Sequence, residues 1–200
     1  MSSMINTPSA AILLAGGKSS RMGANKAFLH FSGQSLLDRA LGVLKQACGS
    51  VTIVGDPSAF ADFGPVVADV FPDCGPLGGI HAGLSASSAE FNVVLAVDMP
   101  FVTSELINFL LVAAEDSDAV VTVPRTRTGF QPLCAVYRRQ FARTAERALL
   151  EGRYRVDAAF ANLPLRIVNE GDLAGAGFSE SNFFNVNNPE DWRAVADQAR

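Results

Sequence analysis

Short apolar segments alternate along this chain with longer segments in which apolar residues recur every three or four positions. The short segments are rich in β-branched residues, and several are apolar at consecutive positions instead of alternating ones. They cover residues 10–15, 51–54, 66–70, 93–97, 119–123, 133–137 and 165–168. Consecutive apolar positions are typical of strands that are buried on both faces, so the pattern predicts a mostly parallel sheet.

The longer segments predict helices over residues 35–48, 78–87, 103–114, 141–150 and 189–198. Two of them carry start signals. Thr103 is a suitable N-cap for the third helix, and Asn188 followed by Pro189 would cap and open the last one. Strands that alternate with helices predict a three-layer α/β fold. No repeat or linker-like stretch divides the sequence, so residues 1–200 are expected to form a single domain.

Composition narrows the class of protein. Hydrophobic residues make up 48% of the 200 positions and charged residues 18%, which argues against a disordered chain. The net charge of −4 argues against a protein that binds nucleic acid through bulk charge. No apolar stretch is long enough to span a bilayer. Cys48, Cys74 and Cys134 form no CxxC pair, which is typical of reduced thiols. Together these features predict a cytoplasmic protein.

Residues 14–26 form a loop that directly follows the first predicted strand. The loop contains three glycines and three cationic side chains: Gly16, Gly17, Gly23, Lys18, Arg21 and Lys26. Glycines let the backbone approach a ligand and present its N–H groups, and the cations supply the charge that a triphosphate needs. A Walker A loop would require glycine at the position of Ile12, and the Gly-x-Gly-x-x-Gly spacing of a dinucleotide fingerprint is absent.

Carboxylates follow two other predicted strands. Asp98 is the first charge after the apolar run 93–97, and Pro100 forces a turn there. In a parallel sheet ligands bind at the carboxyl ends of the strands, and Mg²⁺ prefers oxygen ligands, so Asp98 is a candidate metal ligand. Asp69 and Asp73 lie around the Gly-Pro turn before the second helix, and the pattern alone does not separate them.

Several of these segments together resemble the molybdenum cofactor guanylyltransferases, a family of the Rossmann-like nucleotidyltransferase superfamily. The matching segments are Leu-Ala-Gly-Gly at 14–17, Arg-Met-Gly at 21–23 with Lys26, Asp69 with Gly-Pro-Leu-Gly-Gly at 75–79, Asp-Met-Pro at 98–100, Gln-Pro-Leu at 131–133 and Phe-Asn-Val-Asn-Asn-Pro-Glu-Asp at 184–191. They occur in the family's order along nearly the whole chain. Asn25 and Asn188 depart from the family pattern, which commonly has an acidic residue and threonine there.

The resemblance implies a reaction in which GTP and molybdenum-bearing molybdopterin give molybdenum–guanine dinucleotide and pyrophosphate. It implies Mg²⁺ at Asp98 and charge neutralisation by Lys26 and Arg21. Asn185 and Asn187 would line the other side of the crevice, where they contact the second substrate or complete the metal shell. The nucleotide-binding residues would be Leu14, Ala15, Gly16, Gly17, Lys26, Asp69 and Asp98. Nucleic acid and membranes are not expected as partners, whereas contacts with proteins of cofactor synthesis or with acceptor enzymes stay open.

Two other functions stay open on the sequence. A cytidylyltransferase that acts on the same pterin or on another phosphate acceptor is the nearer one, although the Leu-Ala-Gly-Gly form of residues 14–17 favours guanine. The other is a nucleotide sensor without catalytic activity, which would not need a carboxylate placed for a metal. A group of arginines also allows two interpretations, a solvated face or a contact with an anionic second substrate: Arg125, Arg127, Arg138, Arg139 and Arg143.

Overall fold

The computed structural model describes residues 8–16, 26–187 and 191. An eight-stranded mixed sheet crosses the molecule, and a separate hairpin of two short strands lies outside it. The strands are β1 (Ser9–Leu14), β2 (His30–Phe31), β3 (Gln34–Ser35), β4 (Ser50–Val54), β5 (Val66–Val67), β6 (Phe91–Ala96), β7 (Val121–Thr126), β8 (Gly129–Phe130), β9 (Cys134–Arg138) and β10 (Leu165–Val168). The α-helices are α1 (Leu36–Ala47), α2 (Pro57–Phe60), α3 (Pro76–Ala86), α4 (Ser104–Glu115), α5 (Phe141–Leu150) and α6 (Glu170–Gly175).

The sheet has the strand order β10-β7-β9-β6-β1-β4-β5, with β8 paired to β7 as a hairpin. Strand β9 runs antiparallel to both of its neighbours, and the other strands of this path run parallel to one another. Leu14 is in register with Val54 on one side and with Ala96 on the other. The carboxyl ends of β1, β4 and β6 therefore meet at one edge of the sheet.

Alternate residues of the central strands point into two hydrophobic layers. Ala11 and Leu13 belong to the core beneath α1 and α4, whereas Ile12 and Leu14 belong to the core beneath α3 and α5. Burial on both faces explains the consecutive apolar positions of these strands. The predicted three-layer α/β fold is therefore confirmed. The single-domain assignment of residues 1–200 stays a prediction.

The predicted elements match the observed ones closely at most positions. The helix over residues 141–150 coincides with α5, and Thr103 caps α4 by accepting the N–H of Leu106 at 3.3 Å. The strand predicted over residues 66–70 is wrong in length, since β5 ends at Val67. There the Asp69 side chain accepts the Phe71 N–H at 2.9 Å, a local bond that competes with the strand ladder. The helix predicted over residues 189–198 lies outside the described residues except for Asp191, and its proposed cap Asn188 is outside them as well.

None of the helices in the described part of the chain combines the length and the apolarity that a bilayer crossing requires.

Helix α3 packs against β1 at a position where only glycine fits. A methyl group built on Gly83 would overlap Cγ2 of Ile12 and lie 2.9 Å from its Cδ1. Ile12 is itself buried between the sheet and the helix. The distance between α3 and β1 is therefore set by the contact between the Gly83 backbone and the Ile12 side chain.

Gly83→Ala should therefore destabilise the fold by about 1–3 kcal/mol, the usual cost of overpacking a core. Chemical denaturation measures the loss. Ile12→Ala removes the overlapping atoms. The free energy of unfolding of the double variant should therefore fall by less than the sum of the falls in the two single variants. Strictly additive losses would show that this contact does not set the helix position.

Candidate active site

A cleft of about 810 Å³ opens at the carboxyl edge of the sheet. This volume lies within the range of small-molecule sites. The cleft lies where β4 and β6 flank β1 on opposite sides, which is the topological switch point at which α/β proteins bind ligands. Its walls come from the ends of β1, β4 and β6, from the start of α3 and from residues 68–73.

The first wall is the exit of β1, which carries the predicted nucleotide-binding residues Leu14, Ala15 and Gly16. All three line the cleft. The N–H groups of Ala15 and Gly16 both donate to the carbonyl oxygen of Val54 at 3.0 Å. These two groups therefore join β1 to β4 in the free protein, and the expected array of N–H groups for phosphate is not formed by them. Gly17, Lys18, Arg21 and Gly23 lie outside the described residues.

The exits of β1 and β4 approach each other closely through two glycines. A methyl group built on Gly16 would contact the Cα of Gly55 at 3.4 Å, and one built on Gly55 would lie 2.8 Å from the ring of Phe60. Gly55 and Phe60 also line the cleft. The sequence interpretation overlooked this wall, although a glycine directly after the strand at 51–54 was a signal for it.

Asp98 lies two residues beyond β6, in the turn predicted from Pro100, and it lines the cleft. Its carboxylate is largely buried, and burial raises its pKa above the usual value, while the nearby Lys26 ammonium opposes the rise. The Nζ atom of Lys26 lies 3.6 Å from Oδ2 of Asp98. Two residues that are distant in sequence are therefore adjacent in the cleft.

Lys26 also contacts residues near the C-terminal end of the described chain, directly after the 3₁₀ turn Glu180–Phe183. Lys26 Nζ donates to Oδ1 of Asn187 at 3.1 Å, and the Val186 N–H donates to the backbone oxygen of Asp98 at 2.9 Å. Oδ1 of Asn185 is buried, and among the described residues nothing donates to it. The structure thus brings Lys26, Asp98 and Asn187 together, and Asn185 lies two residues before Asn187.

Asp69 and Asp73 both line the cleft. Asp69 is half-buried, and its carboxylate lies against the first turn of α3, since a methyl group on Gly78 would be 2.9 Å from both of its oxygens. Burial raises its pKa, an effect opposed by the Phe71 N–H and by the positive field of His81. Asp73 is exposed and adopts a left-handed backbone conformation with a φ of 64°. The geometry leaves either aspartate able to contact a nucleotide in this cleft.

The start of α3 is a further wall that the sequence interpretation did not treat as part of the site. Pro76 occupies its first turn, Gly75 precedes it with a φ of 68°, and within the described residues no side chain caps it. The partial positive charge at such a helix end favours a negatively charged group nearby. Gly-Pro before a helical pattern was the available signal.

The arginine group separates into two sets. Arg125 and Arg127 lie at the carboxyl end of β7, on the same edge as the cleft, whereas Arg138 pairs in register with Phe91 at the start of β6, on the opposite edge. Arg138 donates to Oε1 of Glu90 at 2.7 Å and covers the Phe91 ring. Arg138 is therefore remote from the cleft and has a structural role.

The donor set of the cleft limits which cation it could hold. Within residues 8–16, 26–187 and 191 no three His, Cys, Asp or Glu side chains come close enough to bind a metal ion together. A single carboxylate such as that of Asp98 suits a cation that takes most of its ligands from phosphate and water, as Mg²⁺ does.

Three comparisons relate the chain to known proteins. The family model described as MobA-like NTP transferase domain matches residues 11–164. The molybdenum cofactor guanylyltransferase of Desulfosudis oleivorans is 36% identical over 183 residues, which cover 90% of each chain. A probable molybdenum cofactor guanylyltransferase of Pelotomaculum thermopropionicum is 35% identical over 194 residues, with 94% of each chain covered. The crystal structure of molybdopterin-guanine dinucleotide biosynthesis protein A from Archaeoglobus fulgidus superposes with a TM-score of 0.83 at 25% identity, covering 94% of this chain and 97% of that one.

The raised pKa of Asp98 predicts how its replacement changes stability with pH. A carboxyl whose pKa is higher in the folded than in the unfolded state stabilises the fold fully below the usual value of 3.8, and this contribution is lost as pH rises through the folded pKa. Asp98→Asn should therefore be more stable than the unmodified protein at about pH 7, and the difference should shrink towards about pH 4. Denaturant titrations at both pH values test this. A variant that is less stable at neutral pH would show that the charge of Asp98 contributes to folding.

Proposed function

Since this chain belongs to the family of MobA-like NTP transferase domains, and its curated relatives are molybdenum cofactor guanylyltransferases, we propose that it transfers GMP from GTP to molybdenum-bearing molybdopterin. The products are molybdenum–guanine dinucleotide and pyrophosphate. The proposal includes a cytoplasmic setting, which suits three cysteines that are all free thiols, and a single working domain over residues 1–200.

One observation carries the proposal: Lys26, Asp98 and Asn187 meet in the cleft, with Lys26 Nζ 3.6 Å from Asp98 and 3.1 Å from Asn187. They come from the beginning, the middle and the end of the chain. A cation, a partly buried carboxylate and an amide in one cleft are the groups needed to hold a triphosphate beside a second anionic substrate.

The reaction needs positioning and charge neutralisation but no covalent enzyme intermediate. An oxygen of the pterin's terminal phosphate attacks the α-phosphorus of GTP, forming a new P–O bond in line with the bond to the β-phosphate oxygen. That second bond breaks, and its electron pair leaves with pyrophosphate. Lys26 and Arg21 neutralise the charge that develops on the leaving group. Asn185 and Asn187 orient the attacking substrate from the other side of the cleft.

Asp98 would hold Mg²⁺ in this scheme. Its carboxylate is partly exposed at the cleft, and the buried Oδ1 of Asn185, which no described residue satisfies, is a second oxygen of the kind that Mg²⁺ accepts. When bound, the ion would supply charge neutralisation for the phosphate oxygens. In the free protein the Lys26 ammonium is the cation nearest to Oδ2 of Asp98 among the described residues.

The guanine base would be recognised by a carboxylate that accepts hydrogen bonds from its N1–H and 2-amino groups. We assign this contact to Asp69, whose oxygens are fixed by the Phe71 N–H and by the first turn of α3. Asp73 is the alternative in the same wall of the cleft.

An assay of pyrophosphate release tests the function. We expect release that requires both GTP and molybdenum-bearing molybdopterin, with little activity when CTP or ATP replaces GTP. Equal activity with CTP would assign the chain to cytidylyl transfer, and nucleotide binding without any release would make it a nucleotide sensor.

Asp98→Asn tests the role of this carboxylate in the same assay, because the substitution keeps the shape of the side chain and removes its charge. Loss of one electrostatic contributor typically costs about 10²–10³-fold in rate. Binding of GTP, measured by calorimetry, should persist through Lys26 and the remaining loop.

Comparison of GTP with ITP separates the two aspartates, because ITP lacks only the 2-amino group. A hydrogen bond to a charged group contributes about 1.5–3 kcal/mol, so the unmodified protein should bind GTP at least about tenfold more tightly than ITP. Asp69→Asn should remove most of this preference, whereas Asp73→Asn should keep it. The reverse result would make Asp73 the residue that reads the base.

A further inference from the structure

The turn that joins β7 to β8 consists of Arg127 and Thr128, and two carboxylates from later parts of the chain bind it. The Arg127 N–H donates to Oε1 of Glu170 at 2.8 Å, and the Thr128 N–H donates to Oε1 of Glu180 at 3.2 Å. The Arg127 guanidinium also donates to Oε2 of Glu180, from Nε at 3.2 Å and from Nη2 at 3.0 Å. Glu180 thus binds the turn with both oxygens.

The conformation of this turn is also stabilised by hydrogen bonds from Gln131. The amide of Gln131 donates to the hydroxyl oxygens of Thr126 and Thr128 at 3.0 and 3.2 Å, and the Gln131 N–H donates to the Pro124 carbonyl at 2.9 Å. The contacts with Arg127 and Thr128 lower the pKa of Glu180, so this carboxylate is ionised at neutral pH. A surface ion pair alone stabilises little, but here the same carboxylate also binds a backbone N–H.

Glu180 is the second residue of the C-terminal segment, which comprises residues 179–187. Further along this segment, Asn182 donates to the Phe101 carbonyl at 3.1 Å, the Val186 N–H donates to the Asp98 carbonyl at 2.9 Å, and Asn187 accepts from Lys26. The later attachments are at the cleft, whereas the attachment at Glu180 is to the β7–β8 turn. The course of the segment across the carboxyl edge is therefore set at both of its ends.

We propose that Glu180, through its contacts with Arg127 and Thr128, is a positioning residue that sets where Asn185 and Asn187 lie in the cleft. It touches neither substrate, and its effect reaches the reaction through the C-terminal segment. Because Asn185 and Asn187 act on the second substrate, Glu180 mainly determines how well the pterin phosphate is held. The expected change in KM rests on the proposed function, whereas the expected change in the mobility of the C-terminal segment does not.

Glu170 provides a matched control. It binds the same turn, through the Arg127 N–H, but it belongs to α6 and not to the C-terminal segment. Removal of either glutamate loosens the turn, whereas only removal of Glu180 releases the segment. Glu180→Gln is an intermediate, because it keeps an acceptor for the Thr128 N–H and loses the ion pair.

The first measurement uses the free protein. Hydrogen exchange at the Val186 amide should be faster in Glu180→Ala than in the unmodified chain, intermediate in Glu180→Gln and unchanged in Glu170→Ala.

The second measurement is the transfer assay. Glu180→Ala should raise KM for molybdenum-bearing molybdopterin about three- to tenfold, since small misplacements of a positioning group reduce productive binding. The dissociation constant of GTP should change less than this KM, because Glu180 reaches Lys26 indirectly, through Asn187.

Equal effects of Glu180→Ala and Glu170→Ala on both readouts would overturn the inference, because they would reflect the turn and not the segment. A rise in KM for GTP instead of for the pterin would overturn it as well. If the unmodified chain transfers no nucleotide to the pterin, the proposed function fails, and unchanged exchange at Val186 in Glu180→Ala would then separately refute the positioning role.

Discussion

The carbonyl oxygen of Val54 accepts the N–H groups of both Ala15 and Gly16 at 3.0 Å, and this shared acceptor joins the exits of β1 and β4. The Leu14 carbonyl in turn accepts the Val97 N–H at 3.1 Å, which fixes the exit of β6 beside them. Every wall of the cleft described above is built outward from these three strand ends. These bonds are made by backbone groups, and the close approach of the exits favours glycine at positions 16 and 55. Side chains further along each exit are free to be selected for chemistry. Asp98 shows the cost of that selection, since its burial raises its pKa and disfavours its charged form.

The parts of the molecule that could be predicted from the sequence are those governed by local pattern. Consecutive apolar residues indicated strands with two buried faces, and the first charge after such a run, Asp98, had to lie at the carboxyl edge where ligands bind. Thr103 could be recognised as a cap because its hydroxyl bonds a backbone N–H only three residues away. The membership of the family is confirmed by motifs and overall similarity, whereas the roles given to Lys26 and Asp69 stay predictions.

The parts that could not be predicted depend on which segments meet after folding. Hydrophobic pattern does not record strand direction, so nothing indicated that β9 runs against both of its neighbours. The arginines are close in sequence, which suggested that they form one group. Because β9 runs antiparallel, however, Arg138 lies at the edge of the sheet opposite to Arg127. The acidic partner of Arg127 lies 53 residues further on. At that separation a partly exposed glutamate such as Glu180 has no local sequence feature that distinguishes it from a fully solvated one.

The contact between Lys26 and Asn187 joins residues that are 161 positions apart. Contacts of such long range form late, because the entropy of closing the intervening loop must be offset by structure that is already in place. During synthesis the strands whose ends form walls of the cleft, β1, β4 and β6, emerge well before residues 179–187. A growing chain can thus assemble these walls while Asn187 is still missing. Because this contact joins Lys26 to Asn187, it can form only when distant parts of the chain have been brought together, so its presence reports on the folding of the chain as a whole.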